Sequence, residues 1–291
     1  MNSASLYVAC VLIWGSTWLA ITYQLGQVPP AVSVAYRFTV AAAILLVYCG
    51  VRALPLRYTV RDHVWMALQG LLLFGANYVL VYLSEGHISS GLTAVVFSSI
   101  AFWNILGMRY FYQTPLRPAV LLAAGLGVAG VAIVFAPELT VFSNGKAGIL
   151  GLTYGLAGTL AASLGNITAV RNQRHGLPVV QQNAFGMLYG GLLVTLFALF
   201  TGQKFVFECT VPYSLSLLYL ALFGSVLAFG GYLTLLGRIG AERAGYIAVA
   251  IPIVAVLLST FLEGFRWHAA TVLGIALCVL GNVLVLRRKA S

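Results

Sequence analysis

Trp14 and Trp18 stand four residues apart, and so do Tyr78 and Tyr82, and Ser99 and Trp103. In a helix that spacing puts each pair on one face, with Asn77 and Asn104 beside the second and third pairs. Further along, Thr159, Ser163 and Asn166 follow at i, i+4 and i+7, and Tyr246 opens a later apolar run. Such groups are suited to holding a ligand rather than to covalent chemistry. Flat rings give large contact area, while phenol, indole N–H and amide groups fix orientation. The candidate substrate-binding set is therefore Trp14, Trp18, Asn77, Tyr78, Tyr82, Ser99, Trp103, Ser163, Asn166 and Tyr246. The competing reading makes the rings packing residues or interface anchors. In the same way, the Thr/Ser/Asn stripe bonds across helices or back to its own carbonyls.

Enzyme chemistry finds no support. There is no HExxH and no GxSxG, and His63, His87, His175 and His268 all fall at the ends of apolar runs. In HISSG the serines follow the histidine at a helix start, where capping is the commoner role. Cys10, Cys49, Cys209 and Cys278 are scattered without CxxC spacing, so neither a disulfide nor a metal site is expected, and no cofactor.

The elements that must position these groups are set by composition. Of 291 residues, 61 % are hydrophobic and 8 % charged, with mean hydropathy +0.97, where a soluble domain carries about a quarter charged residues. Ten apolar runs can be drawn, at about 4–24, 31–51, 64–84, 89–111, 117–136, 147–170, 179–200, 213–236, 243–263 and 269–286. Each can cross about 30 Å of hydrocarbon as a helix, and none shows the alternation of a barrel strand. The expected fold is an all-α polytopic membrane protein of ten transmembrane helices, the first retained rather than cleaved. With the N-terminus inside, twelve of the sixteen Lys and Arg residues fall in inner loops and the tail, three (Lys146, Lys204, Arg266) outside, and Arg37 within a helix. Short loops rich in Lys and Arg stay in the cytoplasm. Both termini are thus expected there, and the net charge of +10 is a topology signal, not a nucleic-acid signature.

Arg37 lies about 9 Å below the outer entry of the second helix, at 1.5 Å per residue. Glu85, at the outer end of the third, is its candidate partner in an ion pair or outer gate. The alternatives are transient contact with a substrate carboxylate, or snorkelling to the interface. Asp62, Glu85, Glu138, Glu208, Glu242 and Glu263 all fall at helix ends or in loops. Proton or sodium coupling generally needs an intramembrane ionisable group, so facilitated transport or exchange is expected, unless backbone carbonyls hold sodium.

The chain also repeats itself. Displaced by 151 residues, ISSGLTAVVFSSIAFW (88–103) falls on IGAERAGYIAVAIPIV (239–254), and LLAAGLGVAGVAIVF (121–135) on VLGIALCVLGNVLVL (272–286). Five helices per copy is an odd number, so the second copy is inverted, as in many secondary transporters with a midplane site between the halves. Laying Pro30 on Pro178 puts Phe185 opposite Arg37, so the charge is not shared. The glycine pairs Gly151/Gly155 and Gly186/Gly190 have the spacing of close helix contacts.

The segments IWGSTWLA, PPAVSVAYRFTVAAA, NYVLVYLSEGHISSG, SSGLTAVVFSSIAFW and LGVAGVAIVF together resemble the EamA-type transporters of the drug/metabolite transporter superfamily, over nearly the whole chain. The resemblance implies two inverted five-helix repeats, 1–145 and 146–291, with helices 1–4 and 6–9 around a central cavity and helices 5 and 10 peripheral. It implies a carrier in the bacterial inner membrane that exports small metabolites, amino acids first, by alternating access; the ring-bearing candidate residues favour aromatic ones among them, and a monomer is the expected state. An importer of a vitamin-like aromatic compound is the alternative. Two positions depart from the family pattern. Ala101 stands where helix 4 usually has a proline, present in helix 9 as Pro252, and Gln113 stands where an acidic residue is usual after helix 4.

Overall fold

The computed structural model describes residues 2–88, 90–115, 118–134, 146–262 and 269–286. Arg117, Glu138, Glu263, Arg266, His268, Arg287, Arg288 and Lys289 lie outside them, and so do the ends of some of the apolar runs.

Among the described residues the chain is helical, with no strand. α1 (Ser3–Thr22) starts at Asn2, whose side chain accepts from the Ser5 amide. α2 (Pro30–Val51) has proline in its first turn, where the missing N–H costs nothing. α3 (Val60–Gln69) begins in a capping box in which Thr59 and Asp62 bond each other's backbone amides. It continues without a break through a π-helical segment, Gly70–Ala76, into α4 (Asn77–Glu85). α5 (Ser90–Ser98) and α6 (Ile100–Tyr112) follow, then α7 (Pro118–Val134), α8 (Lys146–Arg174) and α9 (Val179–Phe200). α10 (Val211–Tyr219), capped by Thr210, passes through a second π-helical segment, Leu220–Leu227, into α11 (Ala228–Ile239). The one-turn α12 (Ala241–Ala244), α13 (Tyr246–Leu262) and α14 (Ala269–Leu286) complete the order.

Six of these stretches are long and apolar enough to cross a bilayer: Ser3–Thr22, Pro30–Val51, Val60–Glu85, Gly148–Arg174, Val179–Phe200 and Val211–Ile239. Three of the other four expected spans appear as shorter apolar helices, Val120–Gly130, Tyr246–Ala255 and Val272–Gly281. The fourth is interrupted at Ser99, where the Ser99 amide and hydroxyl both donate to the Val96 carbonyl, the hydroxyl at 2.7 Å. A side chain competing for a backbone acceptor in this way tightens the turn and bends the helix. The break thus falls in the helix that lacks the family's proline, whereas α13 runs through Pro252.

Glycine sets the closest approaches. A Cβ on Gly190 would lie 2.7 Å from the Gly70 carbonyl oxygen, so the first π segment and α9 meet backbone to backbone. Gly151 faces Ile88 and His87, and Gly155 faces Val96 and Ser84. Both GxxxG pairs therefore serve close packing. α7 and α14 pack on each other, with Gly281 against the Ala123 carbonyl.

Candidate functional site

The two π segments shape the interior. A π turn closes i→i+5 rings and leaves carbonyls that α geometry would have used. Here side chains take them up. Asn77 Nδ2 donates to Leu73 O (3.2 Å), Ser225 Oγ to Leu220 O (3.0 Å), and Trp14 Nε1 on α1 to Gly224 O (3.0 Å). The last of these ties α1 to the stretch Val211–Ile239, while the other two stay within their own stretches.

The interior space is a cavity of about 60 Å³, measured as the volume open to the centre of a water molecule. At about 10–15 Å³ each it has room for roughly four to six waters. α1 contributes Trp14, Thr17, Trp18 and Ile21; the third apolar run gives Leu73, Asn77, Tyr78 and Val81; α5 and α6 give Phe97 and Ile100. From the second half come Ala162 and Asn166 of α8, Phe229 and Tyr232 of α11, and Gly245, Ala248 and Ile251. The rings pack edge to face: Trp14 lies 5.0 Å from Phe229 and 5.2 Å from Tyr232, and Trp18 lies 5.9 Å from Phe97, centroid to centroid.

A few polar atoms on this apolar wall are open. Asn166 Nδ2 donates to Asn104 Oδ1 (3.3 Å). Asn166 Oδ1 and Asn77 Oδ1 are buried without a partner. An unmade buried hydrogen bond costs about 1–3 kcal/mol, so these amides are held ready for something that bonds them.

Of the candidate set, the structure brings Trp14, Trp18, Asn77, Tyr78 and Asn166 together on the wall. The others are placed off it. Tyr82 is fully buried one turn beyond Tyr78. Ser99 is at the helix break, Trp103 stacks edge-on against Phe102, and Ser163 is buried on α8. Tyr246 donates its hydroxyl to Val120 O on α7 (2.8 Å). The stripe on α8 splits, because Thr159 bonds its own helix at Gly155 O (2.7 Å) while Asn166 reaches the cavity. α2 and α9 pack on each other behind the wall.

Phe229, Tyr232, Ala248 and Ile251 were missed. The displacement of 151 residues carries the candidate Tyr78 onto Phe229 and would have found that one; onto the other three it carries Val81, Phe97 and Ile100, wall residues missed as well.

Arg37 is only 1 % exposed, so it does not snorkel. Its Nε donates to Ser225 Oγ in the second π segment (2.9 Å), and its guanidinium lies over the Tyr78 ring, 4.5 Å from the centroid. Neither carboxylate oxygen of Glu85 has a hydrogen-bond partner. In this conformation Arg37 and Glu85 are not joined by a hydrogen bond. Glu85 is 8 % exposed, which makes it a buried carboxylate although it ends its helix. Asp62 is half-buried in its capping box, and Glu208 is half-buried and accepts from the Thr210 hydroxyl (3.0 Å). At the far end of the third run, His63 Nδ1 meets the Tyr189 hydroxyl (2.8 Å), and Arg171 and Arg174 cover Trp65 and Tyr112. Cys10 and Cys49 are buried and Cys209 is exposed, all as free thiols. Among the described residues no three His, Cys, Asp or Glu side chains gather as a metal site.

A chain that is helical throughout its described residues and folds around an interior cavity of rings and amides has the architecture of a multi-pass membrane carrier. The EamA-like transporter family model matches residues 1–136 and 149–287, and the chain belongs to that family. It is 28 % identical to the uncharacterized inner membrane transporter YedA of Escherichia coli K12 over 95 % of this chain and 88 % of that protein. It is 23 % identical to the probable amino-acid metabolite efflux pump of the same strain, over 96 % of this chain and 94 % of that one. A solved crystal structure, 19 % identical, superposes with a TM-score of 0.79 over 99 % of both chains, which establishes the shared fold.

Proposed function

We propose that this protein is an inner-membrane secondary transporter that exports small metabolites, amino acids foremost and aromatic ones among them, by alternating access through the central cavity. The observation that carries this reading is the cavity itself. Its rings suit a flat or apolar side chain, and its open amide atoms suit a polar one. The relative named as an amino-acid metabolite efflux pump supports the substrate class and the direction.

The same reading arranges the chain as ten spans in two inverted five-helix repeats, 1–145 and 146–291, with both termini cytoplasmic. It is supported by the two separate family matches and by the π segments Gly70–Ala76 and Leu220–Leu227, which start 150 residues apart and end 151 apart. Trp14, Trp18, Asn77, Tyr78, Asn166, Phe229 and Tyr232 are the proposed substrate contacts.

Loaded proteoliposomes test the function. Efflux of radiolabelled phenylalanine or leucine above that of empty liposomes is expected, and metabolite levels in medium and cytoplasm of cells with and without the protein fix direction. Absence of flux for every amino acid tried would remove the substrate class. Orientation is read from Cys209 in a Cys278→Ser background: an impermeant maleimide is expected to label intact cells, and labelling only after permeabilisation would reverse the topology.

A further inference from the structure

We infer that the end of the molecule at which α3 begins and α8 stops carries a seat for an anionic phospholipid, built from Arg61, Arg109, Arg171 and Arg174 around the rings of Trp65 and Tyr112. The residues of this surface are not those of the cavity wall, and the inference holds whatever the carrier transports.

Three helices assemble the seat. α8 packs on α3 and on α6, and its last turn lays one guanidinium on a ring of each neighbour. Cζ of Arg171 lies 4.4 Å from the ring centroid of Trp65 on α3, and Cζ of Arg174 lies 4.1 Å from that of Tyr112 on α6. Arg171 and Arg174 are three residues apart, so they share a helix face. The same spacing rule brings in two more charges. Arg61 stands four residues before Trp65 on α3, and Arg109 three before Tyr112 on α6.

Arg171 is held in place. Its Nη1 donates to Asn172 Oδ1 (3.3 Å), and Asn172, fully buried, is fixed in turn by donating from Nδ2 to Gln69 Oε1 (2.9 Å). Stacking adds a second restraint, since a guanidinium is attracted to an aromatic face and keeps its N–H groups at its own edge. No carboxylate takes those donors. Asp62, next to Arg61, accepts at Oδ2 from the Thr59 amide (3.3 Å) and hydroxyl (2.7 Å) in the helix cap. Among the described residues no salt bridge joins it to any of the four arginines.

The seat therefore calls for an anion, and its surroundings name the source. On α3, Val64 and Leu68 follow Arg61 at i+3 and i+7; on α6, Leu106 and Phe102 precede Arg109 at i−3 and i−7; all four are exposed. Each outer arginine thus heads an open apolar stripe that runs into the membrane. The arginine forks match phosphate in paired bonds, and acyl chains can lie along the stripes. Basic pockets between spans on the cytoplasmic side hold acidic lipid head groups in this way, and that is the side expected for this end of the chain. A free phosphate would leave the stripes unused. A lipid with two phosphates answers more of the charge and should fit best.

Native mass spectrometry and thermal shift on delipidated, full-length protein in detergent test the seat, with cardiolipin, phosphatidylglycerol and phosphatidylcholine as probes. The wild type is expected to retain cardiolipin most, then phosphatidylglycerol, and phosphatidylcholine least, and to melt roughly 3 °C or more higher with saturating cardiolipin. Arg171→Gln combined with Arg174→Gln should weaken cardiolipin retention by about tenfold or more, because hydrogen bonds to charged groups are the strong ones. Trp65→Leu keeps every charge but removes the plane on which Arg171 lies, and should lose part of the retention. Arg52→Gln combined with Arg238→Gln takes the same charge from the same expected side, outside the seat, and should leave retention at the wild-type level. Equal retention of phosphatidylcholine and cardiolipin by the wild type overturns the seat. Equal losses in the two double variants overturn it as well, since overall charge would then be the cause. So does a rise in melting temperature with glycerol phosphate as large as with cardiolipin, because the acyl chains would contribute nothing. The lipid and glycerol phosphate comparisons use the wild type alone, so they decide the matter even where a variant fails to fold.

Discussion

The stretch Val60–Glu85 and the stretch Val211–Ile239 follow one backbone plan with different side chains. Each starts on a threonine cap, Thr59 and Thr210, 151 residues apart. Each widens into a π-helical middle and each then sets an aromatic residue on the cavity wall, Tyr78 and Phe229. The chemistry diverges at the same displacement. Where the first has Asn77, Tyr82 and Glu85, the second has Ala228, Leu233 and Leu236. In the first π segment, backbone meets the backbone of α9; in the second, carbonyls and Ser225 are engaged by Trp14 and Arg37. A common frame makes the cavity, and one side of it supplies the polar handles.

The largest expected effect separates the two π segments. Gly70→Ala puts a methyl group 2.9 Å from the Gly190 nitrogen, against backbone that cannot turn aside. Overpacking costs about 1–3 kcal/mol and sometimes more, so a clear fall in melting temperature and in monodisperse yield is expected. Gly224→Ala meets only the side-chain ends of Thr17 and Arg37 and should melt nearer the wild type. Equal losses would end the distinction.

Next come the two wall rings. Tyr78→Leu and Phe229→Leu should each slow transport roughly tenfold, since an aromatic contact carries about 0.5–1.5 kcal/mol beyond its buried area. If only the Tyr78 variant is slow, the second stretch is frame alone. A third comparison exchanges the amide. Asn77→Leu removes a buried unpartnered oxygen but also the Nδ2 bond to Leu73 O, so melting should change by less than for the glycine variant while transport falls. Ala228→Asn adds such an oxygen at the corresponding place and should lose about 1–3 kcal/mol of stability.

The smallest effect concerns the caps. Thr59→Ala breaks a reciprocal box with Asp62, whereas Thr210→Ala loses a long bond from the Tyr213 amide (3.4 Å) and one to the Glu208 carboxylate (3.0 Å), which is not part of the helix cap. Cap losses run from about 0.5 to 2 kcal/mol, and the first variant should sit at the upper end of that range in a thermal-shift series.

Apolar run length made the long helices legible, because a chain with so little charge has few ways to satisfy its backbone in lipid. The spacing of Trp14 and Trp18, and of Asn77 and Tyr78, was enough to put them on the wall. The i, i+4 rule failed for Tyr82 and Trp103 because a cavity exposes a narrower arc than a whole helix face. The π segments were not legible. GLLLFGA and LALFGSVL are ordinary apolar stretches, and the wide turn arises only where Asn77, Ser225 and Trp14 reach its spare carbonyls. The burial of Glu85 was hidden for a related reason: sequence gives depth along a helix, not which neighbour covers its end.

The π turns also act as a phase lock. One residue of α-helix is about 100° of rotation, so relaxing either wide turn to regular pitch would swing everything beyond it by about that angle without shifting the helix axis. Tyr78 and Asn77 would leave the wall together on one side, and Phe229 and Tyr232 on the other. The hydrogen bonds from Asn77, Ser225 and Trp14 thus work as detents, holding two screw-like shafts in the register at which their ligand-facing teeth mesh.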